Sequence, residues 1–198
     1  LDEQRDAAEA VRRGGPFALL ACEHPPVVTL GYRGALEDLL VTPDELGEVG
    51  VGLERSDRGG RATWHGPGQL VLYPVVSLPE LGLGPRDYVL RLAGGCIRWL
   101  ASRSVRAHYD PENTGIWCTP DDGPARKVGS VGVRVDRGVT QHGVALNLTC
   151  SSTDFRWIRP CGLSSSHMAS LRELGFAAPS PAEVGLEVGA YVRDEIGI

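Results

Sequence analysis

Twenty-six glycines and fourteen prolines are spread through this 198-residue chain, and that spread constrains its fold more than any other feature. Glycine admits positive φ and proline removes a backbone donor, so both interrupt regular elements. The elements must be short and joined by many turns. Because the two residues never gather into a linker, and no repeat or low-complexity segment occurs, the chain reads as one domain, residues 1–198, able to bury a substantial core.

Apolar periodicity gives the order of elements. Residues 2–13 read as a helix, and 17–22 and 26–30 as strands divided by the turn at His24-Pro25-Pro26. A strand near 50–55 precedes a glycine-rich stretch, and an apolar strand covers 70–78. Pro85 suits the first turn of a long helix in which Tyr88, Leu92, Cys96 and Trp99 recur on one face. Strands follow near 105–109, 114–118, 127–135 and 139–149. Ser180-Pro181-Ala182-Glu183 forms a capping box with proline at the first helical position, launching a helix over 184–196. The fold class is α/β.

The net charge of -5 argues against nucleic-acid binding, which favours a basic excess on one face. No segment has the apolar length of a membrane span, and Leu1-Asp2-Glu3-Gln4-Arg5 lacks the basic-then-apolar order of a secretion signal. A soluble, cytoplasmic protein is expected. The five cysteines, Cys22, Cys96, Cys118, Cys150 and Cys161, are odd in number and show no close pair, which disfavours a disulfide framework. A zinc set of Cys118, His142, Cys150 and Cys161 lacks the C-x-x-C spacing usual in structural sites, so no metal is expected. Cys22, Cys96 and Cys150 read as small buried hydrophobes; Cys161 sits in the tight loop Pro160-Cys161-Gly162, where a nearby cation would favour its thiolate.

Nineteen of the twenty basic residues are arginine, leaving Lys127 alone. Arginine stays charged at working pH, whereas lysine can act as proton donor, acceptor or nucleophile. Lys127 opens an alternating strand with Gly129, Ser130 and Gly132, small residues that allow a ligand close to the backbone. Two further stretches carry chemistry. Arg58 to Gln69 combines four glycines with Arg58, Arg61, Thr63 and His65, a loop suited to an anionic group. Gln141-His142-Gly143-Val144-Ala145-Leu146-Asn147 is a strand in which His142, as a possible supporting residue, precedes glycine.

Taken in order, these stretches and Glu23-His24-Pro25-Pro26-Val27-Val28-Thr29-Leu30-Gly31 resemble the lipoyl(octanoyl) transferases, the lipoate-protein ligase B family, over about 140 residues. The resemblance implies a mixed-sheet α/β domain like the catalytic domain of biotin and lipoate protein ligases. It implies transfer of an octanoyl or lipoyl group from acyl carrier protein to a lysine of lipoyl domains, those of 2-oxoacid dehydrogenase complexes and the glycine cleavage H protein. Cys161 would be the acylated nucleophile, with Lys127 lowering its pKa and serving as acid/base. Arg58, Gly59, Gly60, Arg61, Ala62, Thr63, Trp64 and His65, with Ser130, Val131, Gly132, Gly143, Val144 and Ala145, would line the acyl site. Trp64 departs from the family pattern, where tyrosine is common. No cofactor is implied. Docking of an acidic carrier on a chain of net negative charge calls for a local basic rim, with Arg58, Arg61, Arg86, Arg91 and Arg126 as candidates. An ATP-dependent lipoate or biotin ligase on the same fold is the alternative.

Overall fold

The structure, a computed structural model, describes residues 2–121, 123–159 and 167–198. Its elements in chain order are helix α1 (Asp2–Arg12), strands β1 (Ala18–Cys22) and β2 (Val27–Leu30), helix α2 (Pro43–Glu48), strands β3 (Gly52–Arg55), β4 (Ala62–His65) and β5 (Gln69–Val75), helices α3 (Leu78–Leu81) and α4 (Pro85–Ser102), strands β6 (Ala107–Asp110), β7 (Gly115–Cys118), β8 (Arg126–Asp136) and β9 (Val139–Asn147), and helix α5 (Pro181–Ile196). Short 3-10 turns cover Leu36–Asp38 and Ser152–Trp157.

Six strands form one sheet in the order β1-β5-β9-β8-β7-β6, with every neighbouring pair antiparallel. A second sheet, β3-β2-β4, is mixed: β2 runs parallel to β3 and antiparallel to β4. Strands β8 and β9 meet at Arg137-Gly138, where φ is 50° and 81°. Two successive positive values make the hairpin turn whose twist matches that of its strands, and glycine supplies the second without strain.

The expected stripe on α4 is the centre of the main core. Pro85 starts the helix after Gly84, and Tyr88, Leu92, Cys96 and Trp99 are fully buried. Beside it α5 begins at the capping box, where the Ser180 amide donates to Glu183 Oε2 at 2.7 Å. Its Val184, Val188, Val192 and Ile196 join the same cluster. The two helices cover one face of the six-stranded sheet through Leu70, Leu72, Ile116, Val128, Val144 and Leu146. Each such side chain contributes about 1.5–3 kcal/mol on burial. A separate core lies under the small sheet, where Val28, Leu30, Ala62 and Trp64 pack with Leu46, Phe155, Ile158 and Met168.

Three local features of the structure depart from, or are absent from, the sequence reading. The apolar strand over 70–78 ends at Val75, because Ser77 caps α3 and accepts from the Glu80 amide at 3.5 Å. Inside the glycine-rich stretch, Ala62–His65 is a strand, its pairing to β2 supplied by the tertiary fold. Helix α2 follows Thr42-Pro43-Asp44-Glu45, a capping box of the kind recognised at α5. No helix among the described residues is long and apolar enough to cross a membrane.

Candidate active site

Opposite the helices, the six-stranded sheet faces the small sheet across a cavity of about 420 Å³, within the range of small-molecule sites. Val71 and Tyr73 of β5, Ser130, Val131 and Gly132 of β8, and Gly143, Val144 and Ala145 of β9 line one side. Thr29 of β2, Thr63 and His65 of β4, and the Arg58-Gly59-Gly60 turn line the other. The walls are mostly apolar.

Strict alternation along β8 puts Lys127 and Ser130 on opposite faces of the sheet. The structure puts them on the same face. The β7–β8 register shifts between Ile116 and Trp117, so that Ile116 pairs with Gly129 and Trp117 with Lys127. Val128 is the extra residue of this bulge and turns into the helix-side core. Lys127, 1 % exposed, then reaches the β6–β7 turn. Its Nζ donates to Asn113 O at 3.2 Å and Thr114 O at 2.8 Å. Asp110 fixes that turn by accepting from the amides of Glu112 (2.8 Å) and Asn113 (3.2 Å). Gly115 gives the lysine room, since a Cβ there would lie 2.4 Å from Lys127 Cε. Thr114 lines the cavity, so the nitrogen-bearing end of Lys127 stands at its edge.

Arg58 is 7 % exposed and works as a clamp. Its Nε donates to Thr29 Oγ1 at 3.1 Å, one terminal nitrogen to Thr29 O at 2.7 Å and Oγ1 at 2.8 Å, and the other to Gly59 O at 3.0 Å. Burial removes it from any docking rim, which corrects that expectation. Arg61 is exposed but pairs with the buried Asp38 at 2.6 Å. Among the other rim candidates Arg86 and Arg91 are exposed and Arg126 is partly buried.

Three histidines border the cavity, and burial lowers the pKa of each. His65 is pushed down to about 4, against the hydrogen bond to Gln69 that acts to raise it. Its Nδ1 lies 2.7 Å from Gln69 Oε1, while Gln69 Nε2 donates to Asn147 Oδ1 at 2.9 Å and Asn147 Nδ2 donates to Ala169 O at 3.0 Å. This relay makes Gln69 Oε1 an acceptor, so Nδ1 carries the His65 proton and Nε2 keeps a lone pair. His24 bonds Tyr73 through Nε2 and the phenolic oxygen at 2.7 Å. His142 sits in β9 with φ of 57°, a conformation unusual outside glycine. Two contacts hold it: Nε2 meets Asp57 Oδ1 at 2.6 Å, and its amide donates to Gln4 Oε1 of α1 at 2.8 Å. Burial outweighs Asp57, and His142 also titrates below its ordinary value. All three rings are shifted toward the neutral form, and the mostly apolar cavity suits an apolar guest. No group of three His, Cys, Asp or Glu side chains among the described residues is placed to hold a metal ion.

Eleven of the fourteen residues expected to line the site do so; strand alternation accounts for two of the exceptions and an ion pair for the third. Arg58, Gly59, Gly60, Thr63, His65, Ser130, Val131, Gly132, Gly143, Val144 and Ala145 border the cavity. Ala62 and Trp64 point from the other face of β4 into the second core, where Trp64 meets Phe155 edge-on at 5.5 Å. Arg61 turns to Asp38. His142 also lines the cavity. Cys161 lies outside the described residues. The chain bridges Ile158 to Leu39 before that segment, and Met168 to Lys127 after it. Sequence reasoning missed Tyr73, His24, Thr29, Asp57 and Gln4. Of these, only His24 and Thr29, both in the first resembling stretch, had a signal in the chain.

Residues 3–191 match the family described as the lipoyl protein ligase A/B catalytic domain. An octanoyltransferase of Mycolicibacterium smegmatis is 42% identical over 195 residues, 98% of this chain and 82% of that protein. One of Bacteroides fragilis is 43% identical over 158 residues, 79% of this chain and 72% of that protein. Among solved structures, the bi-partite lipoate protein ligase of Thermoplasma acidophilum superposes with a TM-score of 0.74 at 17% identity, covering 98% of this chain and 79% of that one. The biotin protein ligase of Aquifex aeolicus superposes at 0.53 with 16% identity, covering 85% and 69%. The mixed α/β architecture expected from the sequence is the one found.

Proposed function

The chain belongs to the lipoyl protein ligase A/B catalytic domain family and is an acyltransferase of lipoate biosynthesis, and on that premise we propose that it carries an octanoyl or lipoyl group from acyl carrier protein to a specific lysine of lipoyl domains through an acyl thioester on Cys161. The observation that carries this reading is the chain's one lysine, buried at the edge of an apolar cavity walled by the motif residues.

The four described cysteines support Cys161 as the nucleophile. Burial raises the thiol pKa of Cys22 and Cys118 and pushes those of Cys96 and Cys150 up to about 12. None is a thiolate at neutral pH, and the thiolate is the attacking form. In the first step Cys161 attacks the carbonyl carbon of the carrier thioester, and the carrier thiol leaves with a proton. One thioester replaces another, so the step is nearly neutral. In the second, the acceptor amine attacks the acyl-enzyme, an amide forms, and the Cys161 thiolate leaves.

The acceptor lysine has an ordinary pKa of about 10.4 and arrives protonated, so a base must take its proton. Lys127 suits that role. Its bonds to Asn113 O and Thr114 O both use donors, so a neutral amine keeps both and still offers a lone pair. The tetrahedral intermediates of both steps call for hydrogen-bond donors aimed at the developing oxyanion. The octanoyl chain occupies the cavity, gaining about 0.8 kcal/mol per buried methylene.

Intact mass tests the scheme. Incubation with octanoyl carrier protein without ATP should add one octanoyl group, and addition of a lipoyl domain should remove it while the domain gains the same mass. Cys161→Ser should leave no transferable adduct. Acceptor modification only when ATP is present would favour a ligase instead.

A further inference from the structure

We propose that the end of the cavity farthest from Lys127 is a rigid polar stop, built by Tyr73 with His24 and by His142 with Asp57, which sets the length of the acyl chain. The inference rests on the acyl-transfer reading above and gives it a basis for choosing among chains of one chemistry.

Strand register orders the cavity from one end to the other. Gly115, Ser130, Ala145 and Val71 stand side by side across the sheet, next to the Thr114 carbonyl that holds Lys127. Gly132 pairs with Gly143 further along, and Val133 with His142 beyond them. Three residue steps along β9 separate Ala145 from His142, roughly 10 Å at the ordinary strand rise. An extended eight-carbon acyl chain measures about 9 Å from carbonyl to methyl, with ~1.5 Å bonds in a staggered zigzag. Anchored at the Lys127 end and laid along the strands, it ends where the Tyr73 and His142 rings meet, 6.5 Å between centroids.

A length gauge needs a wall that does not yield. Tyr73 is tied to His24 at 2.7 Å. His142 is tied to Asp57 at 2.6 Å, and Asp57 also pairs with Arg134. The left-handed backbone of His142 is fixed in turn by Gln4, which takes the amide that the kink removes from the β9 ladder. A longer chain would have to push methylenes between these hydrogen-bonded groups and leave buried polar atoms unpaired, which interiors resist. Gln4 lines no part of the cavity and acts as a positioning residue.

The test is single-turnover transfer from carrier protein loaded with six-, eight-, ten- or twelve-carbon chains, with melting temperature measured on every variant. The unmodified protein should handle the ten-carbon chain about tenfold more slowly than the eight-carbon one, the scale on which pockets resolve added methylenes. Tyr73→Ala, or Tyr73→Leu if the smaller residue compromises folding, should raise the ten-to-eight ratio by about tenfold. Gln4→Ala should raise it by roughly threefold through a loosened His142. Octanoyl transfer by the unmodified protein, with both variants keeping its length profile, overturns the stop. Uniform loss at all lengths in folded variants overturns it as well. Failure of the unmodified protein to transfer any chain defeats the acyl-transfer reading itself.

Discussion

On β5, β8 and β9 neighbouring residues serve opposite faces of one sheet. Leu70, Leu72, Val128 and Leu146 join the core beneath α4 and α5, while Val71, Tyr73, Ser130, Gly132, Gly143 and Ala145 border the cavity. The helix side is filled by large apolar side chains. The cavity side is kept open by small ones and edged with polar groups that hold one another. Stability and reactivity are thus interleaved along the same strands, and substitutions on the two faces should fail in different assays.

The largest separation is expected at Lys127. Lys127→Arg keeps a cation but cannot release its proton at working pH. It should slow aminolysis of the acyl-enzyme about 10²- to 10⁴-fold, far more than it slows formation of that intermediate. Stopped single-turnover reactions of the two steps measure this, and equal losses would reduce Lys127 to an electrostatic partner. On the helix side, Trp99→Ala should cost about 3–5 kcal/mol and lower the melting temperature by roughly 10 °C. Transfer per folded molecule should persist below the melt; its loss would mean that the two faces are coupled.

A smaller effect is expected from pH. His65 titrates at about 4 in the folded chain against an ordinary 6.5, so below pH 6.5 the unfolded chain binds a proton that the folded one refuses. Stability is present in full above that pH and falls as pH drops toward 4, by about 2 kcal/mol at pH 5. Denaturant melts of the protein and of His65→Asn across this window check the sign: the variant should have the shallower dependence. The least change is expected at Trp64, which faces the second core. Trp64→Tyr should cost about 1 kcal/mol through its contact with Phe155 and leave octanoyl transfer within about twofold. A large kinetic effect would place that ring in the acyl site after all.

What the chain revealed before folding was what local rules encode. The α4 stripe and the α5 capping box depend on residues three or four apart, and both are where they were expected. The motif residues around Arg58, Ser130 and Gly143 were readable as a set because the ordered stretches travel together. Local rules did not reveal the bulge at Val128, since a shift of phase is decided by the partner strand. They also gave Arg58 an exposed role, because nothing in Arg58-Gly59-Gly60 announces that Thr29 will take its guanidinium. Tyr73 reads as one more residue of an apolar strand, and only the arrival of His24 gives its hydroxyl a purpose.

The two-residue turn joining β8 and β9 also bears on how the molecule assembles in time. Pairing across it closes a short loop and needs little chain entropy, and the carbonyls that hold Lys127 lie only 13 and 14 positions away. The cavity's far wall is the opposite case: Tyr73 reaches His24 across 49 positions, His142 reaches Asp57 across 85 and Gln4 across 138. Contacts of such separation form late and slowly. The lysine should therefore be seated before there is a chamber beside it, and under thermal stress the chamber should be lost while the hairpin persists. Amides of the β8–β9 hairpin should be the last to exchange with solvent, and those of α1 among the first.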